Sequence, residues 1–293
     1  MEASVDLRTT VGAVPIARDV VSVQGPEATD FLQGQLTQDL ATLDVGASAR
    51  SLLLQPTGKV DAWLRVTRSD GEQLLLDVEQ GFGESVLARL QRFRLRTKVD
   101  LALDHLSGLA IRGPRAEDFV PEPRSTIAAA AGWPGVEGID LLSRDAIALA
   151  GVPLADWSDL EALRIECGVP TLGAELTEAT IPAEAGRWLI DASVSFTKGC
   201  YTGQELVARI DSRGGNVPRP IRGLLVDGDP APVGATVSLD GKEVGHVTSS
   251  ARSEALGAIA LAPITRTVEI GVRVSVQSEG AEQSATVAEL PLR

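Results

Sequence analysis

Short runs of alternating apolar and polar residues fill the first hundred positions of the chain. Residues 49–54, 59–66 and 73–78 read as strands, separated by turns at Pro56-Thr57-Gly58 and Ser69-Asp70-Gly71. The period lengthens over 82–90, which fits a helix. Leu160, Leu163 and Cys167 repeat at i, i+3, i+7 and predict a second helix, opened by a Ser158/Glu161 capping box and closed by Gly168 and Pro170. Cys167, on that apolar stripe, reads as structural. Leu206, Val207 and Ile210 predict a further helix, with Thr202 as N-cap and Glu205 at its third position. After a turn-rich hinge at 211–220 the rhythm changes again. Alternating segments at 222–226, 236–239, 242–249, 256–260, 273–276 and 285–289 predict an all-β closing domain, a small barrel.

The first half carries an internal echo. Val21-Ser22-Val23-Gln24-Gly25-Pro26 is matched 88 residues later by Leu109-Ala110-Ile111-Arg112-Gly113-Pro114, each a strand ending at Gly with Pro opening a helix. Two similar α+β units would give this pattern, and so would a common strand-to-helix junction arising twice. Arg92, Arg94, Arg96 and Lys98 alternate with Phe93, Leu95 and Val99, which predicts a strand with its cations on one face. Residues 121–138, rich in Pro, Ala and Gly, read as a surface excursion.

Charge and composition narrow the function. A net charge of -13 argues against generic nucleic-acid binding through a basic surface. No run approaches the ~20 apolar residues of a membrane span, and the acidic start has no hydrophobic leader, so a cytoplasmic protein is expected. Two cysteines and two histidines show no metal-ligand spacing. One chain with two thiols cannot supply the four that usually hold an iron–sulfur cluster.

Candidate chemistry concentrates in Lys198-Gly199-Cys200-Tyr201-Thr202-Gly203-Gln204-Glu205. The expected N-cap places Cys200 near exposed backbone N–H groups and the positive end of a helix dipole, with Lys198 adding a second positive charge. Both favour the reactive thiolate. The plainer alternative is a buried structural cysteine.

This octapeptide resembles the signature of the YgfZ family, folate-binding relatives of the glycine-cleavage T-protein, an aminomethyltransferase. Stretches 25–28 (GPEA), 31–39 (FLQGQLTQD), 56–59 (PTGK), 163–170 (LRIECGVP), 245–250 (GHVTSS) and Leu256-Gly257 extend the likeness along nearly the whole chain. The resemblance implies an α+β, T-protein-like multidomain fold with two related α+β units and a small C-terminal β-barrel. Residues 1–210 would form the folate-binding region, as intertwined units of about 1–48 plus 140–210 and 49–139, and 218–293 the barrel. It also implies tetrahydrofolate, or a one-carbon derivative, bound in a central crevice. The role implied is accessory, in the assembly, maintenance or repair of iron–sulfur enzymes, with those client proteins as partners. An older description calls some members tRNA-modifying.

The implied site residues follow from the matched positions. Cys200 would be a nucleophile or redox group whose thiolate Lys198 favours, while Tyr201, Gln204, Glu205 and Arg209 would brace the loop or contact the folate. Glu166 stands where the T-protein's pterin-holding glutamate does, and its two oxygens suit a pterin's adjacent N–H donors. The basic stripe at 92–98, read from the residues themselves, could receive an anion such as a folate's glutamate tail, or be simply a solvated strand face. One departure matters: Ala62 and Trp63 occupy the places of the T-protein's acidic pair, with Asp61 alongside. Two alternatives stay open, namely a true aminomethyltransferase that uses Asp61, and a non-catalytic folate-sensing or tRNA-modification-related protein in which Cys200 only packs.

Overall fold

The computed structural model describes residues 5–119, 127–147, 151–278 and 280–293. Strand β1 (Gly12–Gln24) and strand β5 (Asp100–Arg112) lie side by side at the centre of the first sheet. They pair antiparallel over their full lengths, from Gly12 opposite Arg112 to Gln24 opposite Asp100. The residue 88 positions after Arg18 is Leu106, and these two are themselves paired, so the echo seen in the sequence becomes a local two-fold relation between neighbouring strands. The repeat is imperfect beyond the strands. After Gly25 comes helix α1 (Ala28–Gln35), whereas after Gly113 the described residues show a single short turn of 3₁₀ helix at Ala116–Asp118.

On one side of this pair stand β4 (Gln73–Glu79), β3 (Val60–Arg68) and β2 (Ser48–Leu54), and on the other β7 (Gly138–Ser143) and β6 (Ile127–Ala130). One continuous sheet therefore runs through strands from both of the expected α+β units. Helices α2 (Gly83–Arg94), α3 (Trp157–Cys167), α4 (Arg187–Ser193) and α5 (Gln204–Ser212) complete this part.

The second sheet holds β8 (Ile221–Val226), β9 (Thr236–Leu239), β10 (Lys242–His246), β11 (Ser249–Ser253), β12 (Gly257–Pro263), β13 (Arg273–Ser278) and β14 (Ala281–Ala288), in the order β10-β9-β13-β14-β8-β12-β11. A bridge between Gly245 and Ile264 joins the β10 end back toward β12, so the segments close on themselves as the expected barrel. Its interior is a separate apolar cluster that includes Val237, Ala260, Ile264 and Val287. The main core, by contrast, mixes Val21, Leu52 and Leu64 of the sheet with Leu163 of α3 and with Ile259 and Leu292 of the barrel region. Polar contacts fasten the same joint: Arg164 Nη2 donates to Ser249 Oγ at 2.7 Å, Ser249 donates to Glu175 at 2.6 Å, and Leu292 N–H donates to the Glu166 carbonyl at 2.7 Å.

Four local expectations are corrected. Of the stretch 121–138, read as a surface excursion, residues 121–126 lie outside the described residues, while 127–130 form β6 in the sheet, with Ile127 and Ala129 buried. Helix α3 starts two residues early, with Asp156 rather than Ser158 as its N-cap and Asp159 accepting from the Asp156 N–H at 3.2 Å. Its end is as expected, with Gly168 in the left-handed conformation at φ 70° and Cys167 fully buried. The basic stripe is not a strand. Arg92 and Arg94 close α2, where cations meet the negative end of the dipole, and the chain turns at Leu95 with φ 41° before Arg96 and Lys98. Thr202 is not a cap either, for a reason that belongs to the site. Among the described residues no helix is long and apolar enough to cross a membrane.

Candidate functional site

Lys198 determines how the octapeptide sits. Its ammonium donates to the carbonyls of Gln33 (2.9 Å), Leu36 (2.7 Å) and Gln38 (2.8 Å) and to Gln33 Oε1 (3.0 Å). These carbonyls lie at and just past the end of α1, where no further helical N–H can reach them. Four acceptors outnumber the three N–H bonds of an ammonium, so Lys198 is committed to α1 and not to Cys200. Burial pushes its amine down to about 8, with Asp39 partly offsetting the effect. Thr202 adds a second tie, donating its backbone N–H to Gly34 O at 3.2 Å.

Helix α5 is capped by Gly203 in a left-handed conformation, φ 83°. A Cβ there would lie 2.5 Å from Gln55 O and 2.9 Å from the Leu54 side chain, and a Cβ on Gly58 would lie 2.9 Å from Gly203 O. The helix therefore starts where two glycines let its loop press onto the 55–58 turn, and a Thr202 side-chain cap is not used. Three separate sequence stretches, 31–39, 56–59 and 198–205, thus form one assembly. Cys200 is exposed on it. Tyr201 is half-buried, which pushes its phenol up to about 12, and its N–H donates to Gln204 Oε1 at 3.2 Å. Glu205 and Arg209 lie exposed on α5.

A cavity of about 790 Å³ opens between the first sheet, α3 and the barrel. Arg18, Arg50, Trp63, Arg112 and Asp140 line it from the sheet, Glu161 and Arg164 from α3, and residues 248–250 from the barrel. None of Lys198, Cys200, Tyr201, Gln204, Glu205, Arg209 or Glu166 is among its lining residues. Glu166 lies on the other side of α3, its Oε2 taking a 2.6 Å ion pair from Arg8. Asp61 is held by Arg89 at 3.2 Å and likewise does not line the cavity.

Along one side of the first sheet runs a chain of buried charges absent from the sequence reading. Arg65 donates to Asp77 at 2.9 Å and to Asp140 at 2.9 Å, Arg112 donates to Asp140 at 2.8 Å, and Arg18 reaches Asp77 at 3.1 Å. Burial alone would push the Asp140 carboxyl up, but Arg112 and Arg65 overcome it and hold the group well below the usual carboxylate range. Two guanidiniums also lie over indole rings: Arg50 over Trp63 at 4.6 Å and Arg112 over Trp133 at 4.3 Å. A Trp63 Nε1–H···Ser193 Oγ bond of 3.0 Å fixes the first ring. The signal for these residues was a charge inside an otherwise apolar strand, as in Leu64-Arg65-Val66 and Leu76-Asp77-Val78.

The cavity leaves polar atoms unmatched. Glu79 Oε2 and Arg112 Nε are buried without a hydrogen-bond partner among the described residues, and both residues line the cavity. The lining thus offers a ligand both a free acceptor and a free donor.

Residues 7–137 match the family described as "GCVT N-terminal domain", and residues 219–292 match "Glycine cleavage T-protein C-terminal barrel domain". The chain is 29% identical over 218 residues to the tRNA-modifying protein YgfZ of Klebsiella pneumoniae, an alignment spanning 67% of this chain and 66% of that relative's length. It is also 29% identical over 306 residues to the aminomethyltransferase of Rubrobacter xylanophilus, covering 92% of this chain and 80% of the relative. The fold matches the crystal structure of the glycine cleavage system aminomethyltransferase T from Bartonella henselae, with a TM-score of 0.78, 20% identity, and coverage of 98% of this chain and 87% of that one.

Proposed function

This chain belongs to the glycine cleavage T-protein family, and on that footing we propose that it binds tetrahydrofolate or a one-carbon derivative in the central cavity. We further propose that it serves iron–sulfur enzymes as an accessory protein and does not transfer aminomethyl groups. The observation carrying the first part is the cavity lining, which holds guanidinium-covered tryptophans together with Glu79, whose Oε2 accepts no hydrogen bond among the described residues. A reduced folate supplies a carrier for one-carbon units; the chain's own part is to bind and orient it. Glu79 and Glu161 offer carboxylate oxygens to ring N–H groups, and the arginines offer donors to carbonyl or carboxylate oxygens. Glu166, paired with Arg8, acts at one remove by fixing α3.

Against aminomethyl transfer stands the identity of residues 62 and 63. Trp63 lines the cavity where the T-protein has an acid, Ala62 is buried, and Asp61 is bound to Arg89. The accessory role draws on the octapeptide and on the exposure of Cys200, which in this reading meets a client protein from the surface. The net charge of -13 lends nothing to a tRNA role.

Titration with tetrahydrofolate, followed by tryptophan fluorescence, tests the ligand. Saturable binding is expected, weakened roughly tenfold or more in Trp133→Ala and left within about twofold in Glu166→Gln. Absence of binding at millimolar ligand would end the folate reading. For the accessory role, cells carrying Cys200→Ala should lose iron–sulfur enzyme activity while the purified variant still binds folate. Unchanged enzyme activity would remove Cys200 from the proposal.

A further inference from the structure

We infer that Arg50, together with the free Nε–H of Arg112, forms an anion subsite in the central cavity that takes one carboxylate of the bound ligand. The inference rests on the folate reading and says which part of such a ligand meets this wall.

Four guanidiniums, Arg18, Arg50, Arg65 and Arg112, gather along this side of the sheet against three carboxylates, Asp77, Asp140 and Glu79. Asp77 is shared by Arg18 and Arg65, Asp140 is shared by Arg65 and Arg112, and Glu79 stands 3.8 Å from Arg18. Arg50 has no carboxylate within ion-pair distance among the described residues. Its Nη2 donates to Ala131 O at 3.1 Å, and its plane rests on Trp63. On this wall of the sheet one positive charge is therefore left over, while on the α3 side of the cavity Arg164 faces two carboxylates, Glu161 and Glu175. Burial, aided by repulsion from Arg65, loosens the Arg50 proton to about 10, so the group is still cationic at neutral pH. A half-buried cation without a carboxylate partner bears part of the cost of desolvation, and an entering anion offsets it.

Geometry agrees with charge. Arg112 spends Nη1 on the carbonyls of Ile111 and Ile139 and Nη2 on Asp140, which leaves Nε as a buried donor without an acceptor. Arg50 reaches Ala131 and Arg112 covers Trp133, so both guanidiniums converge on the same three-residue segment. Each guanidinium carbon lies over an indole ring and each group also donates to backbone carbonyls, so both are held in place before any ligand arrives. Fixed planar donors are the arrangement that suits a carboxylate. A single leftover charge matches one carboxylate, and a folate carries such groups on its glutamate tail.

Binding of two probes to the full chain tests this, with wild type, Arg50→Met and Arg50→Lys measured by calorimetry. Tetrahydrofolate has carboxylates, whereas 6,7-dimethyltetrahydropterin has the ring system and none. Arg50→Met should weaken tetrahydrofolate roughly 30-fold and leave dimethyltetrahydropterin within about twofold, and Arg50→Lys should recover much of the loss. Without ligand, Arg50→Met should melt close to wild type, because the charge it removes has no carboxylate partner among the described residues and loss of the Ala131 hydrogen bond is offset by relief of the repulsion from Arg65. If Arg50→Met weakens both probes equally or neither, the subsite is wrong while the folate reading stands. If wild type binds neither probe, the folate reading fails and takes the subsite with it. The source of the anion is also distinguishable. Should acetate strengthen dimethyltetrahydropterin binding in wild type but not in Arg50→Met, the subsite stands and a separate small carboxylate can fill it.

Discussion

Gly58 and Gly203 face one another so closely that neither has room for a side chain: a Cβ on Gly203 would lie 3.2 Å from Gly58 Cα, and one on Gly58 would lie 2.9 Å from Gly203 O. Both hold positive φ, 80° and 83°. Their contact seats the 198–205 loop on the 55–58 turn and sets where α5 begins.

Gly203→Ala should therefore cost roughly 2–4 kcal/mol, combining backbone strain with the collision against Gln55 O. Gly214 provides the comparison, since it has φ 76° but open space around its Cβ position. Gly214→Ala should cost only about 1 kcal/mol. Thermal melting of both variants separates strain from close approach, and equal losses would mean that the docking contributes nothing.

Lys198→Met should destabilise the fold by roughly 2–3 kcal/mol, because the end of α1 loses a charged donor to its carbonyls. Hydrogen exchange across 195–203 should quicken, while the alkylation rate of Cys200 stays within about twofold. A large fall in alkylation with an unchanged melting temperature would instead make Lys198 the tuner of that thiol.

The two cysteines should differ sharply toward iodoacetamide. Cys200 is exposed, whereas Cys167 is fully buried and its thiol is pushed up to about 11 by that burial. At pH 8 the native chain should gain one adduct, at Cys200, and a second only after denaturation. Peptide mapping by mass spectrometry gives the count, and native labelling of Cys167 would contradict the packing of α3.

Acid should attack the buried charge chain. Burial raises the carboxyls of Asp77 and Asp140, but Arg65 with Arg18, and Arg112 with Arg65, more than reverse it and hold both below their unfolded value of 3.8. A depressed folded pKa gives stability that is complete above the unfolded value and is lost as pH falls through the folded one. Asp140→Asn should thus lower stability at neutral pH by roughly 3–5 kcal/mol, by leaving guanidiniums unpaired, and flatten the decline below about pH 4. Urea melts between pH 2 and 7 test both halves.

Much of this architecture was legible because it is local. Period-two alternation marked β2, β3 and β4, Gly168 marked the end of α3, and the short segments after residue 220 marked the barrel. The stripe at 92–98 misled for an equally local reason. Arginines suit the last turn of a helix as well as one face of a strand, and alternation over seven residues does not separate the two.

By itself the sequence determined the rhythm of the elements, the strand repeat at an interval of 88 and the kinship of the 198–205 motif, since each depends on neighbours a few residues apart. Only the tertiary structure decided where side chains point and with whom they pair. Arg164 and Glu166 lie about 200° apart around one helix, so one of them had to turn from the cavity. Which one turned was set by Ser249 and Arg8, residues 85 and 158 positions away along the chain. Lys198 and the Arg50 wall follow the same logic: a charge goes where distant chain segments bring acceptors to it, and no local pattern records that meeting.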